Sequence, residues 1–190
     1  MFSTLLEDLR HKAVWYGHRP TPKSLLMMCF SDGSTAQILY RAMRFCQIRG
    51  LKPLAFFLYR LNSALGHVVI GRGADLGPGL IILHSFGIVI NTKVIAGKNL
   101  VLHHGVTLAE DNDLSPVLGN NVMIGAGAKV IGPVRIGSDV KIGANAVVLK
   151  DVPDGGTVVG IPARLISIYG ERVDPERIGS TRGPVPDKLP

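Results

Sequence analysis

The sequence predicts a parallel β-helix preceded by a helical region, and three observations carry that expectation. Aliphatic residues recur every six positions from Ile70 to Val148, through Leu76, Ile82, Ile88, Val94, Leu100 and Val106, then Leu118, Ile124, Val130, Ile136 and Ile142. Small or apolar residues follow four places later, among them Ala74, Leu80, Val122, Ala128, Val134, Val140 and Ala146. Gly71, Gly77, Gly119, Gly125, Gly137 and Gly143 come directly after the inward aliphatic residue, at corners where a side chain would crowd the bend. A helix repeats at 3.6 residues and a strand at 2. A period of six belongs to hexapeptide coils, which stack to bury one continuous core. The single empty slot is Asn112, inside the polar stretch from Ala109 to Pro116.

With three hexads to a turn, positions 18 apart stack at about one strand spacing, roughly 4.8 Å. This places Ile70, Ile88, Val106, Ile124 and Ile142 in one internal column and gives between four and five coils from Ile70 to Pro153. By the same rule His67, Ser85, His103 and Asn121 form a column beside His84, and His104 falls on an inward small-residue slot as a buried structural histidine.

Residues 1–66 read as helical, 67–166 as the β-helix and 167–190 as an extended or disordered tail rich in Gly, Pro and charge. A first helix runs from Ser3 to about Trp15 and ends at Gly17 and Pro20. Ala36, Leu39, Ala42, Met43 and Cys46 share one helical face, and Leu51, Leu54, Ala55, Leu58, Leu61 and Leu65 repeat the pattern after the Arg49-Gly50 break.

Composition narrows the class. At 190 residues with 46% hydrophobic content and 6% aromatics, the chain can build one core plus an accessory segment. Cys29 and Cys46 lie outside the repeats, show no metal-ligand spacing, and no metal is expected. The opening Met1 to Arg10 carries Glu7 and Asp8 and lacks the apolar run of a secretory signal, and nothing approaches a membrane span. The expected location is the cytoplasm. Arg41, Arg44, Arg49, Lys52 and Arg60, flanking the apolar stripes, leave open a weak peripheral contact at the inner face of the membrane. The net charge of +7 is scattered without interleaved aromatics, which argues against nucleic acid. A cofactor with several phosphates would suit Lys129, Arg135, Lys141, Lys150 and Arg164.

His84-Ser85-Phe86-Gly87-Ile88-Val89-Ile90, Gly105-Val106-Thr107-Leu108, Val122-Met123-Ile124-Gly125-Ala126-Gly127-Ala128-Lys129-Val130 and Gly160-Ile161-Pro162-Ala163-Arg164 resemble the core of serine O-acetyltransferases. The likeness covers roughly residues 36 to 166. It implies a left-handed β-helix, acetyl-CoA as co-substrate, and a homotrimer or dimer of trimers. It also implies that His84 is the catalytic base. Acyl transfer to an alcohol needs a group that removes the hydroxyl proton as oxygen attacks the thioester, and imidazole suits that task near neutral pH. By position, Gly125, Ala126, Gly143 and Ala144 offer close-approach backbone for coenzyme A, with Lys150 and Arg164 for its phosphates or adenine.

Other positions depart from that family. Its orienting aspartate falls on Val69, the aspartate before the catalytic histidine on Leu83, and its loop arginine and histidine on Leu114 and Ser115, in a loop about four residues shorter. A zwitterion needs paired charges, because a buried unpaired ammonium or carboxylate is costly. Length, the opening Leu6-Glu7-Asp8-Leu9-Arg10 and the run His103-His104-Gly105-Val106-Thr107 instead resemble the colanic acid and exopolysaccharide acetyltransferases. The expected acceptor is therefore a sugar or glycan hydroxyl. His67 or His103 would orient His84, and Glu110, Asp111, Asp113 and Ser115 would contact the acceptor from a neighbouring subunit. The alternatives are a serine O-acetyltransferase of cysteine biosynthesis, a non-catalytic CoA-binding scaffold and, last, a zinc carbonic anhydrase.

Overall fold

The computed structural model describes residues 2–173. Four helices come first: α1 (Phe2–Trp15), α2 (Pro22–Cys29), α3 (Ser34–Ile48) and α4 (Lys52–Leu65). The helix absent from the sequence reading is α2, too short to show a period. Its start is nonetheless written locally: the Thr21 side chain caps Ser24, Ser24 caps back, and Pro22 occupies the first turn.

From Val68 the chain coils about five times around a three-sided prism. The first face stacks Val68–Ile70, Ile88–Ile90, Thr107–Ala109, Lys129–Ile131 and Val147–Val148, all parallel. The second stacks Asp75–Leu76, Ile95–Ala96, Val117–Leu118 and Arg135–Ile136. The third stacks Ile81–Ile82, Val101–Leu102, Met123–Ile124, Lys141–Ile142 and Gly156–Val159, then closes with antiparallel Arg164–Ile168 and Glu171–Arg172. Residues 167–173 of the expected tail thus end in this hairpin, and 174–190 lie outside the described residues.

The register corrects one expectation. Ile82 pairs with Leu102, twenty residues on, and Ile70 pairs with Ile90 rather than stacking on Ile88. The first coil therefore carries two extra residues, inserted between Ile82 and Ile90 where His84 sits. The slip is invisible in the sequence because each hexad has two inward slots. Ile88, Val94, Leu100 and Val106 occupy the second slot, all fully buried, so the six-residue beat continues in the wrong column. The true column is Ile70, Ile90, Leu108, Val130 and Val148. A second insertion, between Leu108 and Leu118, forms the polar loop, in which Asp111 and Leu114 exchange backbone hydrogen bonds around Asn112 and Asp113, both with positive φ.

The prism core is continuous with Ala36, Tyr40, Met43, Cys46 and Ala55 of α3 and α4. Polar side chains of α1 and α3 cover the open backbone edge of the first coil. Tyr40 Oη donates to the Ala74 carbonyl and accepts from the Leu76 N–H, both at 3.0 Å. Arg41 donates to the Leu76 and Gly77 carbonyls at 2.6 and 2.7 Å and to both Asp8 oxygens. Asp8 Oδ1 also accepts from the Gly79 and Leu80 N–H groups at 2.8 and 2.9 Å, and His11 Nδ1 lies 2.6 Å from the Gly79 carbonyl. Burial pushes the Asp8 carboxyl above its usual range, outweighing the opposite pull of Arg41 and the two N–H groups. Removing one partner of a buried ion pair leaves the other charge uncompensated, which is strongly destabilising. Asp8→Ala should lower unfolding stability by about 3–5 kcal/mol, because Arg41 is then buried without its counter-charge. Chemical denaturation of the two proteins checks this.

Lys12, fully buried, reaches past Ser34 to the carbonyls of Asp32 and Ile82. Burial depresses its ammonium from 10.5 to about 8, and the nearby Asp32 charge offsets this only in part. Between those two values the unfolded chain holds a proton at Lys12 that the folded chain has released, so this group's contribution to stability rises with pH. The stability of the wild type relative to Lys12→Met should therefore grow by up to about 3 kcal/mol from pH 8 to 10.5. Paired urea titrations across that range read the difference directly.

Candidate active site

The corner between the third and first faces carries the candidate residues, one pair per coil. Leu83 and His84 follow Ile82 in the first coil, and His103 and His104 follow Leu102 in the second. Gly125 and Ala126 come next, then Gly143 and Ala144, then Val159 and Gly160. Backbone bonds tie the levels together: Leu83 N–H to Leu102, His103 N–H to Ile124, Gly125 N–H to Ile142 and Gly143 N–H to Val158. From His84 to Ala144 is three strand spacings, about 14 Å. The corner begins with imidazoles and continues in small residues.

His84 is held at φ 54° in the left-handed region, on the two-residue insertion. Its side chain is 65% exposed, and Nδ1 lies 2.5 Å from Asp32 Oδ2, itself 50% exposed. A carboxylate can only accept, so Nδ1 carries the proton, and in the neutral ring Nε2 keeps its lone pair free. Asp32 sits in the turn between α2 and α3, and the sequence reading missed it. Ser31-Asp32-Gly33-Ser34 reads only as a turn before a helix, and nothing in its spacing points to a residue 52 positions on.

The other predicted residues divide. His104, expected inside, is exposed, and its ring centroid lies 6.1 Å from that of His84 at 69°. The extra two residues put His84 in register with His104 and dissolve the expected His67–Ser85–His103–Asn121 column: His67 lies level with Gly87, and His103 lies level with Leu83 and Gly125. His103 is half-buried, and burial, then the neighbouring His104 and His84, lowers its pKa. His67 stacks flat on Phe86 at 4.5 Å and 12°, a pairing that occupies one face of its ring. Gly125 has a packing reason of its own, since a Cβ there would come within 2.6 Å of the Ala144 nitrogen. Arg164 is exposed and pairs with Val159 at the far end of this corner, whereas Lys150 leaves the first face at the next corner. Glu110, Asp111 and Asp113 are exposed on the loop between the first and second faces, a different edge of the prism from His84. Lys93 holds Asp113, and the Ser115 hydroxyl is buried without a partner. Among the described residues, no group of three His, Cys, Asp or Glu side chains is placed to hold a metal ion. No helix among them is long and apolar enough to cross a membrane.

The positions that depart from the resembled pattern are also placed. Leu83 is buried against Ile81 and Val101, with Met123 packed alongside. Val69 is half-buried in the first strand, and Leu114 is exposed at the loop tip.

Residues 115–150 match the family model for bacterial transferase hexapeptide (six repeats). A serine acetyltransferase of Synechococcus elongatus is 40% identical over 181 residues, covering 92% of this chain and 72% of that protein. The structure of Neisseria gonorrhoeae serine acetyltransferase in complex with serine aligns with TM-score 0.76 and 37% identity over 85% of this chain and 67% of that one. That of the Brucella abortus enzyme in complex with coenzyme A gives 0.77 and 32% over 88% and 68%.

These likenesses overturn the resemblance to colanic acid and exopolysaccharide enzymes, and the sugar or glycan acceptor with it. That reading rested on a few local runs and on four substituted pocket positions, whereas the identity extends over nearly the whole chain, helices included. The prism is the left-handed parallel β-helix expected from the sequence, and the protein is an acyltransferase. The chain belongs to the serine acetyltransferase family.

Proposed function

We propose that this protein transfers the acetyl group of acetyl-CoA to the hydroxyl of L-serine. The carrying observation is the exposed His84 imidazole, fixed with Nε2 free at one end of a corner lined by small residues. Supporting the acceptor are the relatives named for it and a structure described as a serine complex; supporting the donor is one described as a coenzyme A complex.

His84 Nε2 takes the serine hydroxyl proton as the oxygen attacks the thioester carbonyl. The tetrahedral intermediate collapses with cleavage of the C–S bond, and the imidazolium returns the proton to the departing thiolate. The pantetheine arm lies along Gly125, Ala126, Gly143 and Ala144, where the corner offers no bulky side chain, and Arg164 meets the phosphate-bearing end. Lys150 reaches that end from the adjoining corner. The assembly is a trimer, in which the 110–116 loop faces the His84 edge of the next copy. This reading is supported by the separation of loop and base on different edges of one chain. Glu110, Asp111, Asp113 and Ser115 then border the acceptor.

Serine-dependent release of free thiol from acetyl-CoA tests the reaction, and an absence of serine-dependent thiol in the presence of bound CoA would refute it. His84→Ala should reduce kcat by about 10²–10⁴-fold, the usual worth of a positioned base. Calorimetric affinity for CoA should stay within about twofold, since the imidazole acts on the acceptor proton.

A further inference from the structure

We infer that Asp32, from the turn between two helices, is the positioning residue that sets the tautomer and aim of His84. The inference rests on His84 being the base. Within the coils Val69 cannot accept a hydrogen bond, His67 is stacked on Phe86, His104 meets His84 ring to edge at 6.1 Å, and His103 makes no hydrogen bond to His84, whose Nδ1 is turned to Asp32. Asp32 Oδ2 accepts the hydrogen bond of His84 Nδ1–H at 2.5 Å, which leaves Nε2 as the only basic nitrogen of the neutral ring.

The turn is held in place independently of that bond. Lys12 Nζ donates to the Asp32 carbonyl at 2.5 Å and to Ser34 Oγ at 2.8 Å, and reaches the Ile82 carbonyl at 3.4 Å. Gly33, at φ 75°, lies so close that a Cβ would overlap the Ile82 carbonyl oxygen. Ile82 is two residues before His84. The backbone carrying the carboxylate and the backbone carrying the imidazole are thus clamped to one another through buried groups, while the two side chains meet in the open. An exposed pair of an imidazole and a carboxylate adds little to stability. A seat this specific under a pair this exposed serves orientation.

Asp32→Ala and Asp32→Asn should each lower kcat on the order of 10–100-fold, the loss expected when a reacting group is misaimed by about an ångström. KM for serine and acetyl-CoA should change less than about threefold, the melting temperature should hold, and Asp32→Glu should recover part of the rate. In ¹⁵N-histidine NMR the wild type should show His84 as a single Nδ1–H tautomer, and Asp32→Ala a mixture. Unchanged kcat in Asp32→Ala would overturn the inference, as would a rise in serine KM at constant kcat, which would make Asp32 a contact of the acceptor ammonium. If His84→Ala is inactive while Asp32→Ala is fully active, only this inference fails. An active His84→Ala would remove the parent reading as well.

Discussion

The first coil of this prism presents a row of outward backbone groups, and those groups need partners. Inner coils find them in the next turn, but at the N-terminal end no turn precedes. An unpaired strand edge is both a lost hydrogen-bond partner and a template for aggregation. Here Asp8, His11, Lys12, Tyr40 and Arg41 supply the partners to residues 74–82. Each bond has a fixed length and direction, so together they permit one docking of the helices on the coil. The Arg41–Asp8 pair is bidentate and nearly buried, and it bonds four backbone groups between Leu76 and Leu80 as well. That docking decides where the turn after α2 falls.

The six-residue beat is broken twice after Ile70 before the last coil, by two residues around His84 and by four in the polar loop. Neither break disturbs the core, because the inward slots on either side stay aliphatic and fully stacked. Burying each such side chain stabilises by roughly 1.5–3 kcal/mol, so the repeated coils tolerate a local bulge. The bulge carries His84 at positive φ, a conformation that Asn99, Asn121 and Asp139 also adopt at uninterrupted corners.

This explains what could be read from the residues alone. Ile70 through Val148 announced the coils, since any sequence that stacks hexads must repeat them. The corner glycines announced the bends. His84 stood out through the motif around it. The column assignment failed at one point, because Ile88 and Ile90 are both buried aliphatics and a slip of two leaves the pattern intact. The expectation of an inward, buried His104 followed from the same slip. Asp32 was out of reach for a different reason. Its partnership depends on three-dimensional docking set by Asp8, Lys12 and Arg41, residues that in sequence look like an ordinary polar face. The acceptor was misread where local substitutions, at Val69, Leu83, Leu114 and Ser115, were weighed above likeness spread along the whole chain.

Moving the orienting carboxylate off the coil changes what the helices are for. Were it at position 69, imidazole and carboxylate would both sit on the β-helix, and the helical region could serve packing alone. With Asp32, one half of the pair belongs to the helices and the other to the coil. The pair itself, half exposed, contributes about 0–1 kcal/mol and cannot hold the two parts together. The strength lies beneath it, in the buried Lys12 amine, the Gly33 seat on Ile82 and the Arg41–Asp8 brace. A loosening of that brace by an ångström would leave the coils folded and the small-residue corner intact, yet let the ring turn away. Chemistry at His84 is therefore coupled to the capping of the first coil, through contacts that touch neither substrate.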